Sequence, residues 1–385
     1  MTKFVMMSKD KYRVLFISSW YPNKEEPTNG NFVQRHAESV SHLHNVEVLH
    51  CIGTFNQEEE YRIEDRIINN IRTLVVYYKN SENPFRNFVR RMLGYKKGFS
   101  RLNRPNIVHA NVMHNNLLFA VYLKKRYKIP FVISEHWTAF QKANHSTTST
   151  KALFTAKFIS SHASYVLPVS EDLKKSLIEL GVTTQMKVIS NVVDTQLFDI
   201  VERKESPIFR FLHISSLNER KRPQEIIKAV SRLHNEGYNV SLEIGGDGDL
   251  TIIDKLLDSL SANEYITTFP TISYSMVANK IQNSDAFILY STNETQGCVI
   301  LESYACGKPV ISTKVGGAAE FVIEGNSVSV DTYDFEDFYI KLRDVVEGRI
   351  AFNTPKVIRN FVVDNFSIPA ISQKFSEIYQ DTLNK

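Results

Sequence analysis

The sequence predicts an α/β protein built from two doubly wound parallel sheets. Short apolar, β-branched runs recur along the chain with helix-patterned segments between them, as expected of strands buried on both faces and joined by crossover helices. The series restarts after a charged, irregular stretch, Asn191 to Phe209. At 385 residues the chain also exceeds the usual size of one hydrophobic core.

Taken in order, RVLFISS (13–19), VEVLHC, LVVYY, NIVHANV, FVISEH, YVLPVS and KVISN read as the strands of a first sheet. FRFLHISS (209–216), VSLEIGG (240–246), YITTFP, AFILYS, KPVIST and VSVD read as those of a second. Between strands, PQEIIKAVSRLHNEGY shows the helical signature clearly. Pro223 stands at a helix start, Ile226, Ile227, Val230 and Leu233 share a face, and Gly237 is a stop signal. The expected division is 1–195 for the first domain and 196–368 for the second, with a last helix, 369–385, returning to the first. Two such sheets imply a cleft, with ligands at the carboxyl ends of the strands.

The composition is that of an ordinary globular protein, 43% apolar and 23% charged. A net charge of +4, with no basic run set in a nucleic-acid motif, gives no reason to expect nucleic acid. Cys51, Cys298 and Cys306 are odd in number and fit no metal spacing, which points to a reducing compartment rather than a disulfide framework. The N-terminal stretch lacks a signal-peptide pattern, and no run of about 20 apolar residues suggests a membrane span. The expectation is a cytoplasmic protein that can touch a membrane surface.

The stretch STNETQGCVILESYACGKPV (291–310) holds the most informative pattern. A loop after the strand AFILYS leads through Gly297 into a helix ending near Gly307. Gly297 would let the amides of Cys298 and Val299 approach a phosphate, where the helix dipole favours negative charge. Glu294 and Glu302 flank this start. Eight helical residues rise about 12 Å, more than the roughly 5–9.5 Å that separates a glycosidase carboxylate pair. Two grips on one ligand fit better, and the plainer possibility is a helix cap at Glu294 with a solvated Glu302.

After FRFLHISS, the loop LNERKR places Arg220, Lys221 and Arg222 where a diphosphate would need cations, although at least one of them is expected to face solvent. Gly245 and Gly246 in GGDGD, and Gly316 and Gly317 in KVGGAAEF, permit close approach of main chain to ligand or to neighbouring backbone. In the first half, Asn29, Gly30 and Asn31 precede a helix, and Glu135 and His136 end the strand FVISEH. That histidine is either a base or sugar contact, or a satisfied structural residue. Residues 83–106 are basic with interleaved aromatics, either an anionic-membrane contact or a helix packed on its own domain.

These residues resemble the retaining glycosyltransferases of family 4, which have the GT-B fold. Glu294 and Glu302 match that family's pair of glutamates, within ETQGCVILESYACGKPVISTKVGGAAE. SNVVDTQLF (190–198), VSEDLKKSL, GGDGDL and SDAFILYS match further motifs in the expected order. The resemblance implies a metal-independent enzyme without a cofactor, whose donor substrate is a nucleotide-diphosphate sugar, a UDP-sugar being expected. By motif, Glu294 would contact donor-sugar hydroxyls and Glu302 the ribose. Amides at Gly297, Cys298 and Val299 would hold the diphosphate. Lys221, aided by Arg220, would neutralise the leaving group. His136 would lie near the reaction centre, Gly30 beneath the phosphates, Gly246 beside the nucleotide, and Thr271 and Ile272 near the base.

The sequence departs from the family pattern at Ser216, Val192, Thr271 and Ser327, where arginine, glycine, glycine and glycine are common. The expected acceptor is a polysaccharide or lipid-linked glycan at the inner membrane face, with residues 83–106 on the anionic surface. A small soluble acceptor, as in bacillithiol synthesis, and a non-catalytic nucleotide-sugar-binding protein are the competing expectations. A sugar-nucleotide epimerase is a third.

Overall fold

The computed structural model describes residues 11–204 and 206–384. They form two compact units. One comprises the chain up to Val169, Lys174–Val192 and everything from Ile371 onward; the other comprises Ser170–Leu173 and Val193–Ala370. The sequence reading set the break at 195/196. The main chain joins the second unit slightly earlier because Val193 donates its N–H to the Phe366 carbonyl at 2.9 Å.

The first unit runs β1 (Arg13–Ser18), α1 (Asn31–Ser41), β2 (Asn45–Thr54), β3 (Tyr61–Ile68), β4 (Ile71–Lys79), α2 (Pro84–Phe99), β5 (Ile107–Asn111), α3 (Leu118–Tyr127), β6 (Phe131–Glu135), α4 (Thr150–Ser160) and β7 (Tyr165–Pro168), after which α5 (Glu171–Glu179) follows. The sheet order is β3-β4-β2-β1-β5-β6-β7, parallel except for the antiparallel β3–β4 pair. The sequence reading omitted β3 because YRIEDRII alternates polar residues rather than running apolar, and it lies at the edge of the sheet. It also counted KVISN as a strand. That segment only hydrogen-bonds to β7, Lys187 N–H to the Val166 carbonyl at 3.2 Å and Ile189 N–H to the Pro168 carbonyl at 3.1 Å, and the bridge beside it pairs Val166 with Met186, one residue before it.

Helix α2 starts sharply. The Asn83 side chain accepts from the amides of Phe85 (2.9 Å) and Arg86 (3.1 Å), and Pro84 occupies the first turn. Gly94 and Gly98 let it close on the sheet: a Cβ at either would stand 2.6 Å from Cys51 Sγ or 2.4 Å from Leu49 Cδ1.

The second unit runs β8 (Phe209–Ser215), α6 (Pro223–Asn235), β9 (Val240–Gly246), α7 (Thr251–Leu260), β10 (Ile266–Phe269), α8 (Tyr274–Asn283), β11 (Ala286–Leu289), α9 (Cys298–Ala305), β12 (Val310–Thr313), β13 (Ser327–Val330), α10 (Phe335–Val346) and α11 (Pro355–Phe366). All its strands are parallel, in the order β10-β9-β8-β11-β12-β13. One apolar cluster, including Ile226, Val230, Leu242 and Phe338, and another, including Leu212, Phe287, Leu301 and Val362, enclose this sheet.

The final helix, α12 (Ile368–Leu383), belongs to the first unit from Ile371. There the Tyr379 hydroxyl is hydrogen-bonded to His109 Nδ1 at 2.6 Å, and the Phe375 ring lies 5.0 Å from those of His36 and His109. Among the described residues no helix is long and apolar enough to cross a membrane.

Candidate active site

In the second sheet the direction of winding reverses between β8 and β11. Loops leaving two such neighbours diverge, and open α/β sheets bind their ligands at this point. Here the loop after β8 carries Arg220 and Lys221, and the loop after β11 carries Glu294. The two loops are joined by main chain, since Thr292 donates its N–H to the Arg220 carbonyl at 2.9 Å.

Lys221 Nζ donates to Glu294 Oε1, and the two side chains are only 11% and 8% exposed. Burial pushes the Glu294 carboxyl up. The Lys221 charge and hydrogen bond, the Ser291 hydroxyl and Arg220 outweigh it, so the group is held below the ordinary carboxylate range. The Arg220 guanidinium donates to the Asn293 carbonyl at 3.2 Å. Arg222 turns the other way, donating to the Thr332 carbonyl and lying 5.1 and 5.3 Å from the Tyr290 and Tyr333 rings. The expectation that one of the three cations faces solvent is therefore corrected. All three are partly buried, because each has a carbonyl, carboxylate or ring within reach. Beneath them His213 uses both ring nitrogens, with the Ile288 carbonyl at 2.9 Å and Ser215 Oγ at 2.8 Å. Burial lowers it to about 4.

Gly297 holds φ 75° and precedes α9 without any side-chain cap of its own. Glu302 is not solvated: it is 5% exposed and accepts from the Tyr274 hydroxyl at 3.0 Å. The main chain of the Glu294 loop is clamped from its other side by Gly317, whose N–H donates to the Glu294 carbonyl at 2.9 Å. A Cβ at Gly317 would stand 2.0 Å from the Thr295 carbonyl oxygen. The loop therefore presents the Glu294 carboxylate on one flank of the α9 start, with Cys298 and Val299 half-buried in its first turn.

Gly246 and Thr271 are brought together at the ends of β9 and β10. Thr271 Oγ1 donates to the Gly246 carbonyl at 3.4 Å. Gly246 has φ 131° and lies so close to β8 that a Cβ would meet the Ser215 carbonyl oxygen at 2.1 Å. Ile272 packs at the margin of the second apolar cluster.

Gly30 and His136 belong to the first unit. Gly30 has φ 76° at the start of α1, and a Cβ there would lie 2.4 Å from the Trp20 carbonyl carbon. His136 is 7% exposed; its ring centroid lies 4.3 Å from that of Phe32 and 5.3 Å from that of His36. Neither ring nitrogen has a hydrogen-bond partner within the protein. Burial, with the neighbouring His36 and His109, holds it well below the ordinary histidine range, so the ring is neutral. Neighbouring His36 is likewise without a partner at either ring nitrogen, whereas His109 has both satisfied, through Tyr379 and Ser134.

Sequence reading passed over Tyr274 and gave Glu135 no role. Tyr274 anchors Glu302, and nothing in the spacing marks it. Glu135 is fully buried and accepts from the amides of Met113 (2.6 Å), His136 (2.7 Å) and Trp137 (2.7 Å), which fixes the turn carrying His136. Burial raises its carboxyl to about 7 against those bonds. A glutamate closing an otherwise apolar strand was the available signal. Among the described residues no group of three or more His, Cys, Asp or Glu side chains gathers to hold a metal ion.

Comparison with known proteins agrees with this fold. Residues 193–361 match the profile described as glycosyl transferases group 1, and residues 30–197 match that of glycosyltransferase family 4. N-acetyl-alpha-D-glucosaminyl L-malate synthase of Bacillus anthracis is 29% identical over 177 residues, 45% of each chain. Glycogen synthase of Mycobacterium tuberculosis is 24% identical over 95% of this chain and 94% of its own. Among solved structures, Anabaena HepE in complex with UDP and glucose superposes with a TM-score of 0.73 at 17% identity, covering 96% of this chain and 100% of that one. Two Rossmann-like units with these matches define a glycosyltransferase of the GT-B fold. The chain belongs to glycosyltransferase family 4.

Proposed function

We propose that this enzyme transfers a sugar from a nucleotide-diphosphate sugar, a UDP-sugar, with retention at the anomeric carbon. The observation that carries the reading is the buried Lys221–Glu294 pair beside the glycine-led start of α9, at the switch point of the second sheet. A donor would divide this pair. Lys221, with Arg220 and the α9 amides at Gly297, Cys298 and Val299, would take the diphosphate. Glu294 would accept from sugar hydroxyls, and Glu302, already oriented by Tyr274, from the ribose. Gly246, Thr271 and Ile272 would flank the nucleotide and its base. In the first unit, Gly30 and the neutral His136 would serve the phosphates and the reacting sugar.

The step breaks the bond from the anomeric carbon to the donor phosphate oxygen and forms one to the acceptor oxygen on the same face. The acceptor proton passes to the departing phosphate. The protein supplies position and charge stabilisation of the leaving group, which Lys221 and the helix start provide without a metal.

The acceptor in this reading is a polysaccharide or lipid-linked glycan on the cytoplasmic membrane face. α2 supports it by exposing Phe85, Val89 and Leu93 between Arg86, Lys96 and Lys97. A small soluble acceptor is the second reading, favoured by the 29% identity to the malate-glycosylating synthase.

Donor cleavage tests the proposal. The protein is incubated with UDP-, GDP- and ADP-sugars without acceptor, and products are read by mass spectrometry. Slow cleavage of one donor, lost in Glu294→Ala, is expected. Full activity in that variant would remove Glu294 from the site, and an epimeric sugar nucleotide as product would replace transfer by isomerisation.

A further inference from the structure

Residues 83–170 contain fourteen Lys or Arg and a single Asp or Glu, Glu135. That glutamate is fully buried, so the surface contributed by this segment carries no carboxylate. With a net charge of +4 for the whole chain, the remaining residues sum to −9. Such a division is far from the interspersed charge of an ordinary surface.

The segment folds into one helical layer. The Tyr95 ring of α2 stacks on Phe119 of α3 at 5.2 Å. Lys124 of α3 reaches the His162 carbonyl just beyond α4 at 2.7 Å, and Lys125 lies 5.5 Å from the Phe158 ring of α4. The outer side of this layer bears two apolar ridges at helical spacing. On α2, Phe85, Val89 and Leu93 are 74%, 39% and 47% exposed; on α4, Phe154 and Phe158 are 74% and 39% exposed. Both ridges are flanked by exposed lysines, Lys96 and Lys97 on α2 and Lys151 and Lys157 on α4.

We infer that the outer face of the α2–α3–α4 layer docks on an anionic lipid bilayer, with α4 as a second inserting ridge beside α2. The inference extends the membrane clause of the proposed function and rests on it. Charge complementarity selects this occupant: the segment offers cations and no exposed carboxylate of its own, spread over three helices, and among the described residues only Arg90 and Lys142 of these cations are seen paired with carboxylates of other elements, Glu60 and Glu179. The ridges add what a dissolved polyanion would not use, large apolar side chains that enter the acyl boundary while lysine stems reach the headgroups. The strength of this docking is set by the sum of these apolar and charged contacts.

The test is sedimentation of the full chain with phosphatidylcholine vesicles, with and without phosphatidylglycerol, at rising salt. Binding only to the anionic vesicles, weakening with salt, is expected. Phe154→Ser/Phe158→Ser and, separately, Lys151→Glu/Lys157→Glu leave α2 intact; each should weaken binding about tenfold. Unchanged donor cleavage reports that the variants fold. A Phe154→Trp variant should shift its emission to the blue on anionic vesicles. If both α4 variants bind as the parent does, the second ridge is wrong and the earlier role of 83–106 stands alone. If the parent binds no vesicles, or binds a soluble polyanion such as heparin and no vesicles, the face is not a membrane face and both fall. Donor cleavage is read separately, so neither outcome touches the assignment of the enzyme's chemistry.

Discussion

The two units share a winding pattern but bury different polar groups. The second buries one histidine, His213, and a lysine–glutamate pair at its switch point; the first buries His36, His44, His50, His109 and His136. A buried pair responds to loss of a partner, because the remaining charge is stranded. Buried neutral histidines respond to acid, because unfolding lets them take up protons. The same architecture therefore has two different weak points.

The largest expected effect breaks the pair. Lys221→Ala should lower donor cleavage by about 10²–10³-fold. It should also destabilise the second unit by roughly 3–5 kcal/mol, through the uncompensated Glu294. Lys221→Met/Glu294→Leu should be as inactive yet recover most of that stability. Chemical denaturation monitored by hydrogen exchange separates the units. A double variant no more stable than Lys221→Ala would show that the pair is not a coupled buried unit.

Acid is the next test. The folded-state values of His36 and His50 are lowered to about 3 and about 4 by burial, and His109 and His136 lie well below the ordinary range. A folded value below the unfolded 6.5 means stability is present above pH 6.5 and is lost as the pH falls toward 4. For His36 and His50 this amounts to on the order of 3–5 kcal/mol each. Glu135, raised to about 7, acts in the opposite sense, gaining stability as the pH falls from 7 to 4.5, but it is one group against four. The chain has two tryptophans, Trp20 and Trp137, both in the first unit. Their emission should therefore change between pH 6.5 and 4 before hydrogen exchange in the second unit rises. Simultaneous loss would erase the distinction.

Gly297→Ala is smaller. It places a side chain at φ 75°, with its Cβ 3.1 Å from that of Ala318, and should cost about 1–2 kcal/mol while weakening donor binding. Tyr274→Phe is smallest. Removing the hydroxyl that orients Glu302 should raise the donor KM about fivefold with kcat nearly unchanged, a cost of about 1 kcal/mol. A fall in kcat alone would place Glu302 at the reacting centre instead.

The contrast also explains what could be read in advance. Strands of both sheets show as apolar runs, and the second-unit site is local: Glu294, Gly297 and Glu302 lie within nine residues of one another. What the chain order hides is the partnership of distant segments. Lys221 meets Glu294 across 73 positions, and Gly317 closes on the Thr295 carbonyl only because β12 returns beside β11. β3 was invisible because an edge strand has no need of two apolar faces. The acid-sensitive cluster was hidden for the same reason: His36, His109 and Phe375 lie on separate elements that no short window joins.

That edge strand has a further consequence. Glu64 is ion-paired with Lys24 and Arg66, and Asp65 with Arg72, so β3 presents fixed charge along the open margin of the first sheet. Exposed margins invite another chain to add a strand. A protein gathered on a surface meets its own copies far more often than one diluted in bulk, and a charged margin lets it crowd there without its sheets joining edge to edge.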